Sequence, residues 1–291
     1  MKEKKRSKTT EGVAAARAYH LLYQDPVVFE DPYAIQLTSH PWRTILKIRA
    51  LNWLLIRALH HDILPLWAEF FGRARYAEEQ LDKALERGID QYVLLGAGLD
   101  SFALRKKDLV RKLKVFELDH PLSQKSKRDR LVKLNIDLPD NLEFVPVDFE
   151  KESVADALAR SSYSNKKPAF FSWLGTIPYL TSEAVFSTFR SITSYATRGS
   201  EIVLDYFIPK ELVEPSDVPL YEKIERMVAR RGEPHTSSFD PRTFPQNVCE
   251  LGFELVEHLP PTDQEERYFE NRKDGLRPAS AFYFAHFRLR A

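Results

Sequence analysis

Strands alternating with helices from about residue 90 to 207 predict an α/β chain built on a doubly wound, mainly parallel sheet. Three observations carry that reading. Short apolar runs recur between polar helical stretches. Glycine, only 10 of 291 residues, stands where a helical period gives way to such a run. The first run ends in Gly96-Ala97-Gly98, a tight turn at the edge where an open parallel sheet admits ligands to its backbone.

Residues 1–12 read as a disordered basic tail, with Lys2, Lys4, Lys5, Arg6 and Lys8. The apolar stretch a signal peptide needs does not follow. Residues 13–72 lack strand candidates and read as helices broken at Pro26, Pro32, Pro41 and Pro65, a helical cap on a single domain whose α/β core spans 73–291. Ala77, Leu81, Ala84 and Leu85 recur at helical spacing before Gly88 and the strand-like Tyr92–Leu95. Val115–Leu118, Leu142–Val147 and Ala169–Leu174 are the next strands, separated by helices over Lys125–Leu134 and Glu152–Arg160. Val185, Phe189, Ile192 and Ala196 mark a helix closed by Gly199 before Ile202–Leu204. Asp240 as N-cap and Pro241 at N1 open a helix through Phe244, Val248 and Leu251, closed by Gly252. Phe253–Leu259 and Ala281–Leu289, joined by a long polar loop, form an antiparallel C-terminal edge.

Composition narrows the function classes. Lys and Arg total 43 against 42 Asp and Glu, so no global field attracts nucleic acid. Leu51–Phe71 is interrupted by Arg57, His60, His61, Asp62 and Glu69, so no membrane span is expected. A lone cysteine, Cys249, leaves no internal disulfide and no cysteine-rich zinc site, which makes cytoplasm the default compartment. His60-His61-Asp62 lacks the i, i+4 geometry of a helical zinc site, and no metal is expected. Neither a Gly-x-Ser-x-Gly elbow nor a Walker loop occurs.

Three strand ends combine into a ligand site. Gly96 and Gly98 make the turn after the first strand. Asp119 ends the second, 21 residues beyond Gly98, about where a carboxylate holds ribose hydroxyls in nucleotide-type folds, with Glu117 as its competitor. Asp148 ends the third, placed to accept from an adenine amino group while Phe149 lies against the ring; its other reading is an N-cap for a helix from about Lys151. A dinucleotide turn needs a third glycine and a phosphate-binding helix start. Here Ser101 takes the glycine position and Asp100 sets a negative charge beside it. S-adenosyl-L-methionine, with adenine, ribose, a sulfonium and an ammonium but no phosphate, suits such a turn.

These residues belong to an ordered set: Ser7-Lys8-Thr9-Thr10, Ala16-Arg17-Ala18, Asp31-Pro32-Tyr33-Ala34, Arg73-Ala74-Arg75-Tyr76, Leu95–Ser101, Phe116–Pro121, Val147-Asp148-Phe149 and Gly175–Leu180. The set, over roughly residues 7 to 207, resembles the leucine carboxyl methyltransferase family. That family includes protein C-terminal carboxyl methyltransferases, polyketide-tailoring O-methyltransferases and bacterial S-adenosylmethionine-dependent enzymes. The resemblance implies a Rossmann-like class I methyltransferase sheet, with Gly96 and Gly98 lining the cofactor, Asp119 on the ribose, and Asp148 with Phe149 on the adenine. It also puts Arg73 near the methionine carboxylate and the acceptor. Where many members carry Glu before the glycine of Gly175–Leu180, this chain has Leu174. A backbone carbonyl there, or Asp100, is left to meet the cofactor's ammonium.

The activity expected is O-methyl transfer to a carboxylate or hydroxyl of a small molecule or to an exposed protein carboxyl group. An NAD-dependent oxidoreductase and a non-catalytic binding or scaffold protein are the alternatives. Methyl transfer is an in-line displacement that needs alignment and a dry site. A carboxylate acceptor needs no base; for a hydroxyl the candidates are His20, Tyr19, Tyr179 and His235, each also readable as a packing or surface residue, so no catalytic residue is assigned. The aromatic content of 12% suits an apolar acceptor pocket under the cap.

Overall fold

The computed structural model describes residues 8–54 and 64–290. Its centre is a seven-stranded sheet of β1 (Gln91–Leu95), β2 (Lys114–Asp119), β3 (Leu142–Pro146), β4 (Phe170–Trp173), β5 (Glu201–Phe207), β6 (Phe253–Leu259) and β7 (Phe282–Leu289). The order is β3-β2-β1-β4-β5-β7-β6, with β1 to β5 parallel. The order reverses between β1 and β4, whose carboxyl ends therefore open a crevice at the switch point.

The two-residue period of the strands fills both faces. Val93, Leu95, Phe116, Leu118, Phe171, Trp173, Ile202 and Leu204 enter one core, with Val185, Phe189 and Ile192 from the helix after β4. Tyr92, Leu94, Val115, Phe170 and Val203 enter the other, against Tyr76, Ala77, Leu81 and Ala84. Burial on both faces explains why these strands read as continuous apolar runs.

The two C-terminal strands pair antiparallel at the edge of the sheet, as expected. β7 is antiparallel to both β5 and β6, so β6 runs parallel to β1–β5 and is the outermost strand. The antiparallel strand is thus one place in from the edge, because the chain crosses over to β6 first and then returns to fill the gap beside β5.

Helices precede the sheet as expected: α1 (Lys8–Tyr23), α2 (Ala34–Leu37), α3 (His40–Lys47), α4 (Arg49–Asn52) and α5 (Leu64–Glu86). Residues 8–12, expected in the tail, open α1. Pro41 lies in the first turn of α3, where the missing N–H costs nothing, so it starts a helix instead of breaking one. α5 runs unbroken across residues 72–73, joining cap to core through one helix. His60-His61-Asp62 lies outside the described residues.

The remaining helices are α6 (Phe102–Arg105), α7 (Pro121–Lys133), α8 (Val154–Ala159), α9 (Ser182–Tyr195), α10 (Val218–Arg230), α11 (Phe244–Cys249) and α12 (Pro261–Gln264). Gly88 follows the cap residue of α5, and the Ile89 N–H closes the end on the Ala84 carbonyl. Gly252 and Gly199 sit further from their helices than predicted, in the turns entering β6 and β5. α11 starts at Phe244, later than predicted, because the Asp240 carboxylate accepts from Arg242 and the chain makes a separate turn first. Ser153 caps α8, so Asp148 is not its N-cap.

Candidate active site

A cleft of about 1310 Å³ lies over the carboxyl ends of β1, β2, β4 and β5. Arg73, Gly96, Gly98, Asp119, Asp148, Phe149 and Leu174, chosen from sequence, all line it. They come from five separate stretches of chain, brought together by the parallel sheet.

The glycine turn is held by Asp119. Its Oδ2 accepts from the Gly98 N–H at 2.6 Å and its Oδ1 from the His120 N–H at 2.6 Å. Burial raises the pKa of this carboxyl, and the two backbone donors oppose that rise. Gly98 has φ +53°, and a Cβ on it would stand 2.8 Å from Thr10 Cγ2 of α1. The N-terminal helix is therefore a wall of the cleft, seated directly on the turn. Thr9 Oγ1 donates to Glu233 Oε2 at 2.6 Å, and Arg130 donates to Glu11 Oε1 at 2.6 Å, fastening the start of α1 to both banks. Arg17 on the same helix lies 3.7 Å from Asp100 Oδ2 and 3.6 Å from Asp31 Oδ2.

Glu117, the competitor of Asp119, does not line the cleft. It is buried and paired with Lys127, Nζ to Oε2 2.6 Å. Burial pushes its carboxyl up to about 7 despite that cation. Lys127 also donates to the Asp100 carbonyl at 2.6 Å, so a buried ammonium under the sheet edge anchors the far end of the glycine turn. Asp100 Oδ1 accepts from the Phe102 N–H at 2.7 Å.

Asp148 lies beside Phe149 at the end of β3. Its Oδ1 accepts from the Glu150 N–H at 3.2 Å, and Lys151 Nζ lies 3.0 Å from its Oδ2. At β4, Leu174 contributes its carbonyl, which accepts from Thr176 Oγ1 at 3.2 Å. Gly175 follows with φ +63°, and a Cβ there would fall 2.7 Å from Arg73 Cζ. The guanidinium thus occupies the space a side chain would need. Arg73 Nη1 donates to Asp205 Oδ2 at 3.1 Å, and Asp205 Oδ1 accepts from the Gly175 N–H at 2.6 Å. Arg75, by contrast, is exposed and paired with Glu79.

Of the candidate bases, Tyr179 and His235 line the cleft, ring centroids 5.0 Å apart. His235 Nδ1 is 2.6 Å from Glu225 Oε1, and burial holds its pKa below the usual value. His20 and Tyr19 are not among the lining residues. His20 is buried and stacked on Phe71, its Nδ1 on Gln24 and its Nε2 accepting from the Val28 N–H. It is a packing residue.

Sequence reasoning missed Asp205, Glu69 and Lys127. Asp205 had a signal, a single carboxylate inside the otherwise apolar interior of β5; Lys127 had none among the charges of α7.

The cleft has two characters. The strand ends bring Asp100, Asp119 and Asp148, whereas α3, α5 and α10 bring Trp42, Leu66, Trp67, Phe70, Ile224 and Met227. Among the described residues no group of three or more His, Cys, Asp or Glu is arranged to hold a metal ion, and no helix is long and apolar enough to cross a membrane.

A doubly wound sheet with an added antiparallel strand, and a cleft at its switch point, recurs in solved structures. A "putative methyltransferase" from Thermobifida fusca shares this fold at TM-score 0.58, covering 95% of this chain and 94% of its own at 15% identity. A DUF574 family protein from Streptomyces avermitilis shares it at TM-score 0.59, covering 94% and 96% at 14% identity. By sequence, residues 10–193 match the leucine carboxyl methyltransferase family, and the chain belongs to it. It is 34% identical to the "Putative S-adenosyl-L-methionine-dependent methyltransferase YktD" of Bacillus subtilis (strain 168), over 98% of this chain and 99% of that one.

Proposed function

We propose that this methyltransferase moves a methyl group from S-adenosyl-L-methionine to an oxygen, carboxylate or hydroxyl, of an apolar small molecule. The observation that carries the reading is one cleft lined both by carboxylates at the strand ends, Asp100, Asp119 and Asp148, and by aromatic and aliphatic side chains of α3, α5 and α10. A volume of about 1310 Å³ exceeds the ~300–1,000 Å³ of a single ligand pocket, leaving room for donor and acceptor together.

The carboxylate lining fits the donor. The Gly98 N–H, which would face a phosphate in a dinucleotide site, is already bonded to Asp119, and the Phe102 N–H that opens α6 is bonded to Asp100. A carboxylate-rich edge with its backbone donors already engaged suits hydroxyls and cations and repels a pyrophosphate. This counts against the oxidoreductase alternative. When bound, S-adenosyl-L-methionine supplies a methyl group on a cationic sulfur.

The chain's own residues do the rest. Gly96 and Gly98 give the turn its positive-φ shape and let Thr176 and Thr10 close against it; Asp119 offers its remaining lone pairs to ribose hydroxyls; Asp148 and Phe149 receive the adenine. Arg73 orients the methionine carboxylate. The Leu174 carbonyl and Asp100 face the ammonium in place of the family's glutamate. Trp67, Phe70 and α1 exclude water from the acceptor. A carboxylate acceptor then needs orientation alone, and a hydroxyl would pass its proton to His235 in the cleft wall. An exposed protein carboxyl terminus is the second reading, favoured by Arg230 and Arg231 at the cleft margin.

Radiolabelled methyl transfer tests the proposal. Apolar hydroxy and carboxylic acids should take up label that extracts into organic solvent; label on carboxyl-terminal peptides with none on any apolar small molecule would overturn the acceptor class.

A further inference from the structure

The inner wall of the cleft contains a buried group of three ionisable side chains whose charges do not balance. Glu69 and Asp205 are each 1% exposed, and Arg73 between them is 8% exposed. Two carboxyls share one guanidinium, and they meet it through the same nitrogen: Nη1 is 3.1 Å from Asp205 Oδ2 and 3.5 Å from Glu69 Oε1. Arg73 Nε has no acceptor among the described residues. If both carboxyls were ionised, a net negative charge would be buried without solvent, a costly state that a proton relieves.

The hydrogen bonds indicate where that proton sits. Asp205 uses both oxygens as acceptors, from the Gly175 N–H and from Arg73. Glu69 meets Arg73 only at an ion-pair distance of 3.5 Å, and neither of its oxygens has a partner of hydrogen-bond geometry among the described residues. Of two buried carboxyls on one guanidinium, one takes two donors and the other none of good geometry, so the excess charge is relieved by a hydrogen on the second. We propose that Glu69 stands as a neutral carboxylic acid, donates to Asp205, and through it positions Arg73 and the Gly175 turn against the cofactor. Burial first, and the charge of Asp205 second, raise the pKa of Glu69 well above the ordinary carboxyl value. Glu69 is a positioning residue, since it lies one helical turn before Arg73 on α5 and does not line the cleft. The proton itself is inferred from this cluster alone; its effect on ligand affinity rests on the reading of the cleft given above.

Infrared difference spectroscopy on the full chain, in light and heavy water, decides it. Wild type minus Glu69→Gln should contain a protonated-carboxyl C=O band that shifts in heavy water. Wild type minus Asp205→Asn should contain a carboxylate band instead. A carboxylate band in the Glu69→Gln difference overturns the proposal, and that spectrum suffices if Asp205→Asn does not fold. For ligand affinity, Glu69→Gln, an isostere of the neutral acid, should bind S-adenosylhomocysteine within about threefold of wild type, whereas Glu69→Ala should lose about tenfold or more, the scale of one charge-assisted hydrogen bond. Equal loss in both variants would overturn the positioning role. Absence of binding to wild type would refute the cofactor reading and leave the spectra to decide the proton.

Discussion

Replacing Asp119 with alanine tests the cofactor site through a side chain with two separable jobs. In the free protein it accepts two backbone hydrogen bonds of 2.6 Å, from Gly98 and His120. Bonds to a charged group contribute about 1.5–3 kcal/mol each, but both N–H groups lie beside an open cleft and regain water, so their joint loss should cost about 1–3 kcal/mol. For a chain of this length that corresponds to a fall in Tm of roughly 2–6 °C. The second job appears only with ligand. Losing the lone pairs that remain for ribose should weaken S-adenosylhomocysteine by about 1–3 kcal/mol, a rise in Kd of about 5- to 150-fold. Calorimetric titration gives the affinity and a thermal melt without ligand gives the stability. Asp119→Asn keeps one carbonyl acceptor and should fall between wild type and alanine in both. A lowered Tm with unchanged Kd would refute the ribose assignment and leave Asp119 as a brace for the turn.

Burial lowers the His20 pKa from 6.5 to about 4, so the folded state keeps the ring neutral while the unfolded chain takes up a proton below about 6.5. That contribution is full above pH 6.5 and should be lost between pH 6.5 and 4, by roughly 3 kcal/mol, a fall that a pH series of denaturant melts should show reduced in His20→Gln. Lys127→Met leaves Glu117 buried without its cation and should destabilise by about 3–5 kcal/mol at pH 8, with much of the loss recovered in the double variant carrying Glu117→Gln; no recovery in denaturant melts would show that the pair is not the cause. Gly175→Ala must push the Arg73 guanidinium aside, and calorimetry should find S-adenosylhomocysteine binding at least about tenfold weaker. His235→Ala should lower kcat on a hydroxyl acceptor by about 10²-fold or more and leave a carboxylate acceptor nearly unchanged, as read from steady-state rates.

What the sequence disclosed follows the range of the interactions involved. Parallel strands buried on both faces announce themselves as apolar runs, and Gly88 marks a helix end through backbone geometry alone. Gly98 and Asp119 were legible because each closes a strand of the parallel sheet, so chain position fixed their meeting. Glu69 gave only a lone carboxylate in the apolar run from Leu64 to Phe71, and its partner is 136 residues away on β5. Lys127 looked like any other cation of α7 until folding set it under Asp100. The place of β7 was likewise hidden, since its alternation is the same whether it pairs on one side or two. α1 as a wall of the cleft depends on Thr10 meeting Gly98, a contact between two small residues that no spacing rule encodes.

The most direct measurement is a crystal structure of the protein with S-adenosylhomocysteine. Adenine should lie against Phe149 and Asp148, ribose hydroxyls on Asp119, the amino-acid end beside Arg73 and the Leu174 carbonyl, and the sulfur should turn toward Trp67 and Phe70. A ligand lying wholly among Trp42, Leu66 and Met227, or one whose sulfur faces bulk solvent, would contradict this placement.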